Sequence, residues 1–215
     1  MDKYITSFLN LFGEPEIQKV PDAAYVESYR GKLPDSLLEY WNKFGFCSFT
    51  GGLFWIVDPA KYESILKHWI GLTNLKDSGQ KFYVIARSGY GDLYLWSKES
   101  GCKYEINAMN CWVIEGDEQD PDTEIALQRF FGSKSPYSVD LEDEETDDEM
   151  FDDAVDRYGK LSDDEMYGFE PTLVTGGDMI LDNLKKVDMT IHLDLLVQLQ
   201  QPRLVTMNDL ENMAF

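Results

Sequence analysis

"KLPDSLLEYWNKFGFCSFTGGLFWIVDPAKYESILKHWI", residues 32–70, holds two helices with a pair of strands between them. Pro34 suits a first helical turn. Leu37, Leu38, Trp41 and Phe44 share one stripe, and Gly45 fits the helix end. "FCSFTGGLFWIV" then has strand composition on both sides of a Gly51-Gly52 turn. Asp58 caps the next helix, Pro59 opens it and Gly71 closes it; Tyr62, Ile65, Leu66, Trp69 and Ile70 keep the spacing of a single buried face.

Working outward, residues 2–12 read as a short amphipathic helix with Tyr4, Ile5, Phe8, Leu9 and Phe12 at helical spacing, ended by Glu14-Pro15. Residues 20–34 read as a connector rich in turn residues. From 81 to 115 the period changes to two, and "KFYVIARS", "GDLYLWS", "CKYEIN" and "CWVIEG" predict a meander of short antiparallel strands. "DPDTEIALQRFFG" is a further capped helix. "LSDDEMYGFEPTLVTGG" predicts a short helical turn leading into a loop, and "DMTIHLDLLVQLQ" a helix capped by Asp188 and stopped by Pro202. The order is that of an α+β protein: N-terminal helices packed on an antiparallel meander, then a small, mainly helical C-terminal domain. The expected division is 1–115, then a helix and acidic linker over 116–157, then 158–215. There is no internal repeat.

The chain of 215 residues carries 40 acidic and 19 basic residues, a formal net charge of -21. Ten acidic residues and no basic one lie in "DLEDEETDDEMFDD", residues 140–153. Such a surface is repelled by nucleic acid and anionic membranes and attracted to basic partners, so neither direct nucleic-acid binding nor membrane association is expected. No apolar run approaches the roughly 20 residues of a membrane span, and the first residues lack a signal-peptide pattern. Cys47, Cys102 and Cys111 form no CxxC and fit a reducing cytoplasm. Clustered carboxylates and few apolar side chains predict that residues 138–156 are mobile or poorly packed, with Met150, Phe151 and Val155 able to dock as a short helix.

The sequence offers little for catalysis. His68 lies off the apolar stripe of its helix. His192 lies on the stripe of the last helix with Leu195, Leu196 and Leu199, where a buried histidine with one hydrogen bond is the expectation. No HxxxH, HExxH or His/Cys cluster suggests a metal. The acidic strip lacks the order of a calcium-binding EF-hand loop. "SGYGDLYLW" and "TLVTGGD" lack the spacing of phosphate loops and read as tight turns. No catalytic residue, metal or cofactor is assigned. Trp41, Trp55, Trp69, Trp96 and Trp112 all fall in expected helices or strands, as core or as interface anchors.

Two stretches resemble known families. Residues 32–70 followed by "FYVIARSGYGDLYLW" resemble the GAD-like domain, with its LPxxLLxYW helix, GxFW strand, DP-type helix and FGDxYxW hairpin; Tyr90 stands where that pattern usually has phenylalanine. "LSDDEMYGFEPTLVTGG" with "DNLKKVDMTIHLDLLVQL" resembles the C-terminal domain of type VI secretion immunity proteins, and the acidic strip lies outside both patterns. The resemblance implies an antitoxin that binds a cognate nuclease effector, a DNase, in the producer's cytoplasm, and no enzyme activity. Acidic surface complements a basic DNA-binding site. The candidate toxin-binding residues are Asp163, Asp164, Glu165, Tyr167 and Phe169, with Asp147, Asp148 and Glu149 of the strip. One alternative stands beside each group: the strip as a solvated linker, and Ser162 and Glu165 as a capping box. At the level of function, the alternatives are a SUKH-like regulatory scaffold and an enzyme acting on a small cationic substrate.

Overall fold

Asp2 starts the first helix, α1 (Lys3–Phe12), by accepting the backbone N–H groups of Tyr4 at 2.8 Å and Ile5 at 3.0 Å. Its other oxygen accepts the Tyr40 hydroxyl at 2.6 Å, which ties α1 to the helix read at residues 34–44. Burial opposes ionisation of Asp2, yet these three donors hold its carboxyl below the usual value. A computed structural model describes residues 2–117 and 120–213. After α1 come β1 (Glu16–Lys19), α2 (Ala23–Glu27), α3 (Asp35–Phe44), β2 (Phe46–Phe49), β3 (Phe54–Ile56) and α4 (Glu63–Gly71). The meander is β4 (Tyr83–Ser88), β5 (Leu93–Trp96), β6 (Tyr104–Asn107) and β7 (Trp112–Glu115). Then follow α5 (Thr123–Ser133), α6 (Pro136–Val139), α7 (Phe151–Tyr158), β8 (Glu165–Phe169), β9 (Leu184–Asp188), α8 (Met189–Leu199), β10 (Arg203–Thr206) and α9 (Met207–Met213).

The fold is α+β, built on a sheet of eight strands in the order β1-β2-β3-β4-β5-β6-β7-β10. Neighbouring strands are antiparallel except β10, which runs parallel to β7. Phe54 and Trp55 are adjacent in β3 and so face opposite sides of the sheet. On the Phe54 side, α1 and α5 supply Phe8, Phe12 and Phe131, whose rings meet Phe49 and Phe54 at 5.0–6.2 Å. On the Trp55 side lies Arg87, its guanidinium 4.2 Å from the Trp55 ring. The Tyr62 ring and the 161–164 turn close over that side, and Arg87 reaches the Ser162 carbonyl at 3.4 Å. Gly45, at the end of α3, has φ 70°, and a Cβ there would stand 2.6 Å from the Lys19 carbonyl oxygen. Only glycine lets α3 turn into β2 this close to β1.

The segments 1–115, 116–157 and 158–215 share one hydrophobic core: Val139, Met150, Phe151, Leu161, Met166 and Leu193 join Leu37, Trp41 and Val84 in it. The long sheet also takes its last strand from the C-terminal segment.

Several local expectations change. Residues 20–34, read as connector, contain α2, capped by the Asp22 side chain on the Tyr25 N–H at 2.8 Å. The short helical turn expected within 161–177 is instead β8, paired antiparallel with β9 from Glu165↔Asp188 to Phe169↔Leu184. A long-range strand partner overrides the local helical signal there. The Tyr167 N–H also donates to the Gly89 carbonyl at 2.9 Å, docking the hairpin on the β4–β5 turn. No helix among the described residues is long and apolar enough to cross a membrane.

Candidate functional site

The acidic strip is where structure departs most from the sequence reading. Hydrogen bonds tie its start, its turn and its end to the rest of the fold, where poor packing was expected. At its start, Asp140 Oδ1 accepts three donors: the Tyr90 hydroxyl at 2.6 Å, the Leu141 N–H at 2.7 Å and the Phe151 N–H at 3.1 Å. Burial raises the Asp140 carboxyl and the Tyr90 bond opposes that rise. The backbone then folds back on itself. Glu142 and Glu149 form an antiparallel bridge, the Asp143 N–H donates to the Asp148 carbonyl at 2.9 Å, and Met150 donates to Leu141 at 2.9 Å. Asp147 takes φ 60° at the tip, a conformation that aspartate tolerates better than most residues. Asp143 anchors the turn from below. It accepts the Leu181 N–H at 2.7 Å and the Glu145 N–H at 2.8 Å, and these bonds hold its carboxyl below the usual value.

Apolar side chains complete the docking. Met150, Phe151 and Ala154 are buried, and the Phe151 ring meets Tyr90 at 5.8 Å and Tyr167 at 5.5 Å, edge to face. Gly89 makes room for it: a Cβ at that position would fall 2.6 Å from Phe151 Cε2. The carboxylates that remain, Glu142, Glu144, Glu145, Asp147, Asp148, Glu149, Asp152 and Asp153, are exposed. Among the described residues none of these eight is in an ion pair. The turn is therefore an ordered, uncompensated acidic surface that holds the candidates Asp147, Asp148 and Glu149.

The second candidate group divides. Tyr167 is 1% exposed and Phe169 3%, so both are core residues and cannot serve as exposed anchors. Tyr167 spends its hydroxyl on the Gly159 carbonyl at 2.7 Å. Asp163 is half-exposed and bonded to Lys61 at the start of the 59–71 helical segment. Glu165 accepts the Ser162 N–H at 2.9 Å and pairs with Lys186 at 3.4 Å. That is one half of the capping-box arrangement, used to shape a turn before a strand rather than a helix. Asp164 is exposed, accepts the Ser162 hydroxyl at 2.6 Å, and has its carboxyl held low by that bond. No hydrogen bond or ion pair among the described residues joins Asp163–Glu165 to Asp147–Glu149; separate elements hold the two groups.

Trp41, Trp55, Trp69 and Trp96 are all at most 2% exposed, the core role read for them. His68 is on the surface beside Asp194, Nδ1 to Oδ1 3.2 Å. His192 is buried against Gly168, where a Cβ would fall 2.7 Å from its Nε2; burial lowers its pKa. The hydrogen bond expected for its ring is not among the contacts of the described residues. Burial raises the Cys47 thiol to about 12 and Cys111 to about 11, the state of inert packing thiols. Among the described residues, no three His, Cys, Asp or Glu side chains converge as a metal's ligands do.

Sequence reasoning also misplaced one face of α8. His192, Leu193, Leu196 and Val197 point inward, whereas Leu195 and Leu199, read with His192 as one stripe, point outward together with Ile191. Apolar residues cover both the inward face and the Ile191, Leu195 and Leu199 row, and only the Thr190, Asp194 and Gln198 row is polar, so periodicity alone does not select the buried face. The i, i+4, i+8 spacing of Ile191, Leu195 and Leu199 was the available signal.

These features define a helix-and-sheet protein with an acidic surface formed by the exposed carboxylates of residues 142–153. The chain belongs to the GAD-like domain family, whose model matches residues 3–110, and residues 126–200 match the C-terminal domain of the type VI secretion (T6SS) immunity protein Tdi1. The second match begins at α5, so the acidic strip, expected to lie outside both patterns, falls within it. The crystal structure of Atu4351 from Agrobacterium tumefaciens is similar in fold, with a TM-score of 0.75 and 23% sequence identity over 89% of this chain and 87% of that one. No curated protein matches the chain.

Proposed function

We propose that this chain is a type VI secretion immunity protein that binds a cognate nuclease effector, a DNase, in the producer's cytoplasm and neutralises it by direct contact, without catalysis of its own. The observation that carries the reading is the match of residues 126–200 to the Tdi1 C-terminal domain. Its physical support is the acidic strip inside that segment, with eight exposed carboxylates on the turn and the start of α7 and none of them in an ion pair among the described residues. A nuclease presents basic surface to phosphates. Outward carboxylates that no internal cation neutralises attract that surface and steer encounter. Asp147, Asp148 and Glu149 would contact it, with Asp163, Asp164 and Glu165 adding charge at a second point.

The test uses the effector encoded beside this gene. Co-expression of the full chain should restore growth to cells making that effector and suppress its DNA cleavage in vitro. Asp148→Lys with Glu149→Lys should slow association at low salt by about an order of magnitude while leaving the melting temperature nearly unchanged, because both side chains are exposed. Absence of growth protection and of binding by the wild-type chain would end the immunity reading. Protection with an unchanged association rate in the double variant would remove the acidic turn from it.

A further inference from the structure

Charge capture alone gives weak, screened contacts, and a lasting complex needs a desolvated apolar anchor. Tyr167 and Phe169 are not available for that role. We propose that the outer face of α8, formed by Ile191, Leu195 and Leu199, is the apolar anchor of this chain for its effector; the proposal rests on the immunity-protein reading. Ile191 is 70% exposed, Leu195 42% and Leu199 47%. Spaced four apart, they lie within about 80° of arc on one side of the helix. Three large aliphatic side chains in one exposed row, on a chain with net charge -21, form an unpartnered ridge.

The ridge begins where the second acidic group ends. The Met189 N–H, first in α8, donates to the Asp164 carbonyl at 2.9 Å, and Glu165 stands opposite Asp188, the cap of α8, in the β8–β9 ladder. Asp164 and Asp188 thus sit at the head of the ridge, and Asp194 flanks it beside His68. Apolar row and acidic rim form one continuous surface. Its complement is a protein with apolar side chains inside a basic border. A second copy of this chain is a poor occupant: docking α8 on α8 would bring two sets of Asp188 and Asp194 together between molecules each carrying charge -21.

The purified effector encoded beside this gene, made without nuclease activity, is the probe for biolayer interferometry against the full chain. Ile191→Ser with Leu195→Ser should weaken binding at least about tenfold, chiefly through faster dissociation, with an unchanged melting temperature and a monomer by sedimentation. Leu199→Lys, which favours the helix by placing a cation in its last turn, should act in the same direction and serves if the serine variant unfolds. Leu11→Ser, at an exposed apolar site on α1, should bind as wild type. Wild-type binding retained in both α8 variants would overturn the anchor and leave the immunity reading standing. So would a wild-type dimer that the serine variant dissociates. A wild-type chain that does not bind at all would take the immunity reading with it.

Discussion

Removing one hydroxyl, in Tyr90→Phe, isolates the bond that ties the acidic strip to the sheet. Tyr90 is fully buried, and its hydroxyl donates to Asp140 at 2.6 Å. Phenylalanine fills the same space, so no cavity forms and the edge-to-face contact with Phe151 at 5.8 Å persists. What is lost is one hydrogen bond to a carboxylate, worth about 1.5–3 kcal/mol. Asp140 keeps the Leu141 and Phe151 N–H donors, which places the cost near the lower end. For a chain of this size each kcal/mol moves the midpoint by about 2–4 °C, so thermal unfolding followed by circular dichroism should shift down by about 3–8 °C. The hydroxyl stabilises the ionised carboxyl, so Tyr90→Phe raises the folded-state pKa of Asp140 further. The penalty is then full at neutral pH and shrinks on acidification as Asp140 takes up its proton. Hydrogen exchange should speed up at Leu141 and Phe151 before it does in β4 or β5. A midpoint within 1 °C of wild type, or unchanged exchange across 141–151, would refute the idea that this bond pins the strip.

Two further substitutions probe neighbouring contacts. Gly89→Ala places a methyl 2.6 Å from Phe151 Cε2 and 2.8 Å from the Gly52 carbonyl oxygen; because the second neighbour is backbone, chemical denaturation should show a loss of about 1–3 kcal/mol. Burial raises Asp92 to about 6 against an ordinary value near 4. The folded chain therefore binds the extra proton between those values, and this group's contribution to stability is present at low pH and lost as pH rises through about 6. Asp92→Asn should remove that component, so urea midpoints of variant and wild type should diverge in favour of the variant between pH 4.5 and 7.5; parallel profiles would contradict the assignment.

The N-terminal half was largely legible because its signals are local. Asp2, Pro34, Asp58 and Asp122 mark helix starts within a few residues of the elements they begin, and the period-two runs of 81–115 need only sequence neighbours to be recognised. What was illegible depends on partners far away in sequence. β8 exists through β9, and β10 through β7. The strip is held by Tyr90 at one end and Leu181 at the turn, neither of which its own composition reveals. Charge density predicted looseness, but the carboxylates of Asp140 and Asp143, with Glu142 and Glu144 at longer range, accept hydrogen bonds from the rest of the fold. The candidate site followed the same rule. Its charges could be read directly, whereas the burial of Tyr167 and the outward turn of Leu195 and Leu199 could not.

An ordered acidic turn has a thermodynamic consequence that a flexible one lacks. Six outward carboxylates fixed over one short hairpin, with Asp152 and Asp153 beside them in the first turn of α7, repel one another and destabilise the free chain. The Asp140 and Asp143 bonds offset that repulsion and hold the charges in place. A basic partner then meets a pre-shaped surface, pays less ordering entropy, and relieves the repulsion on contact. Salt acts on the two halves of this balance with opposite sign. Screening within about 10 Å at 0.1 M weakens repulsion inside the turn and attraction to a partner alike. Raising sodium chloride should therefore increase the melting temperature of the free chain while slowing capture of a basic effector. A linker without fixed geometry would spread its charges apart and leave the melting temperature nearly flat. A melting temperature that falls with added salt would mean that internal ion pairs such as Lys160–Glu16 and Arg157–Asp182, and not repulsion in the turn, dominate the electrostatics of this fold.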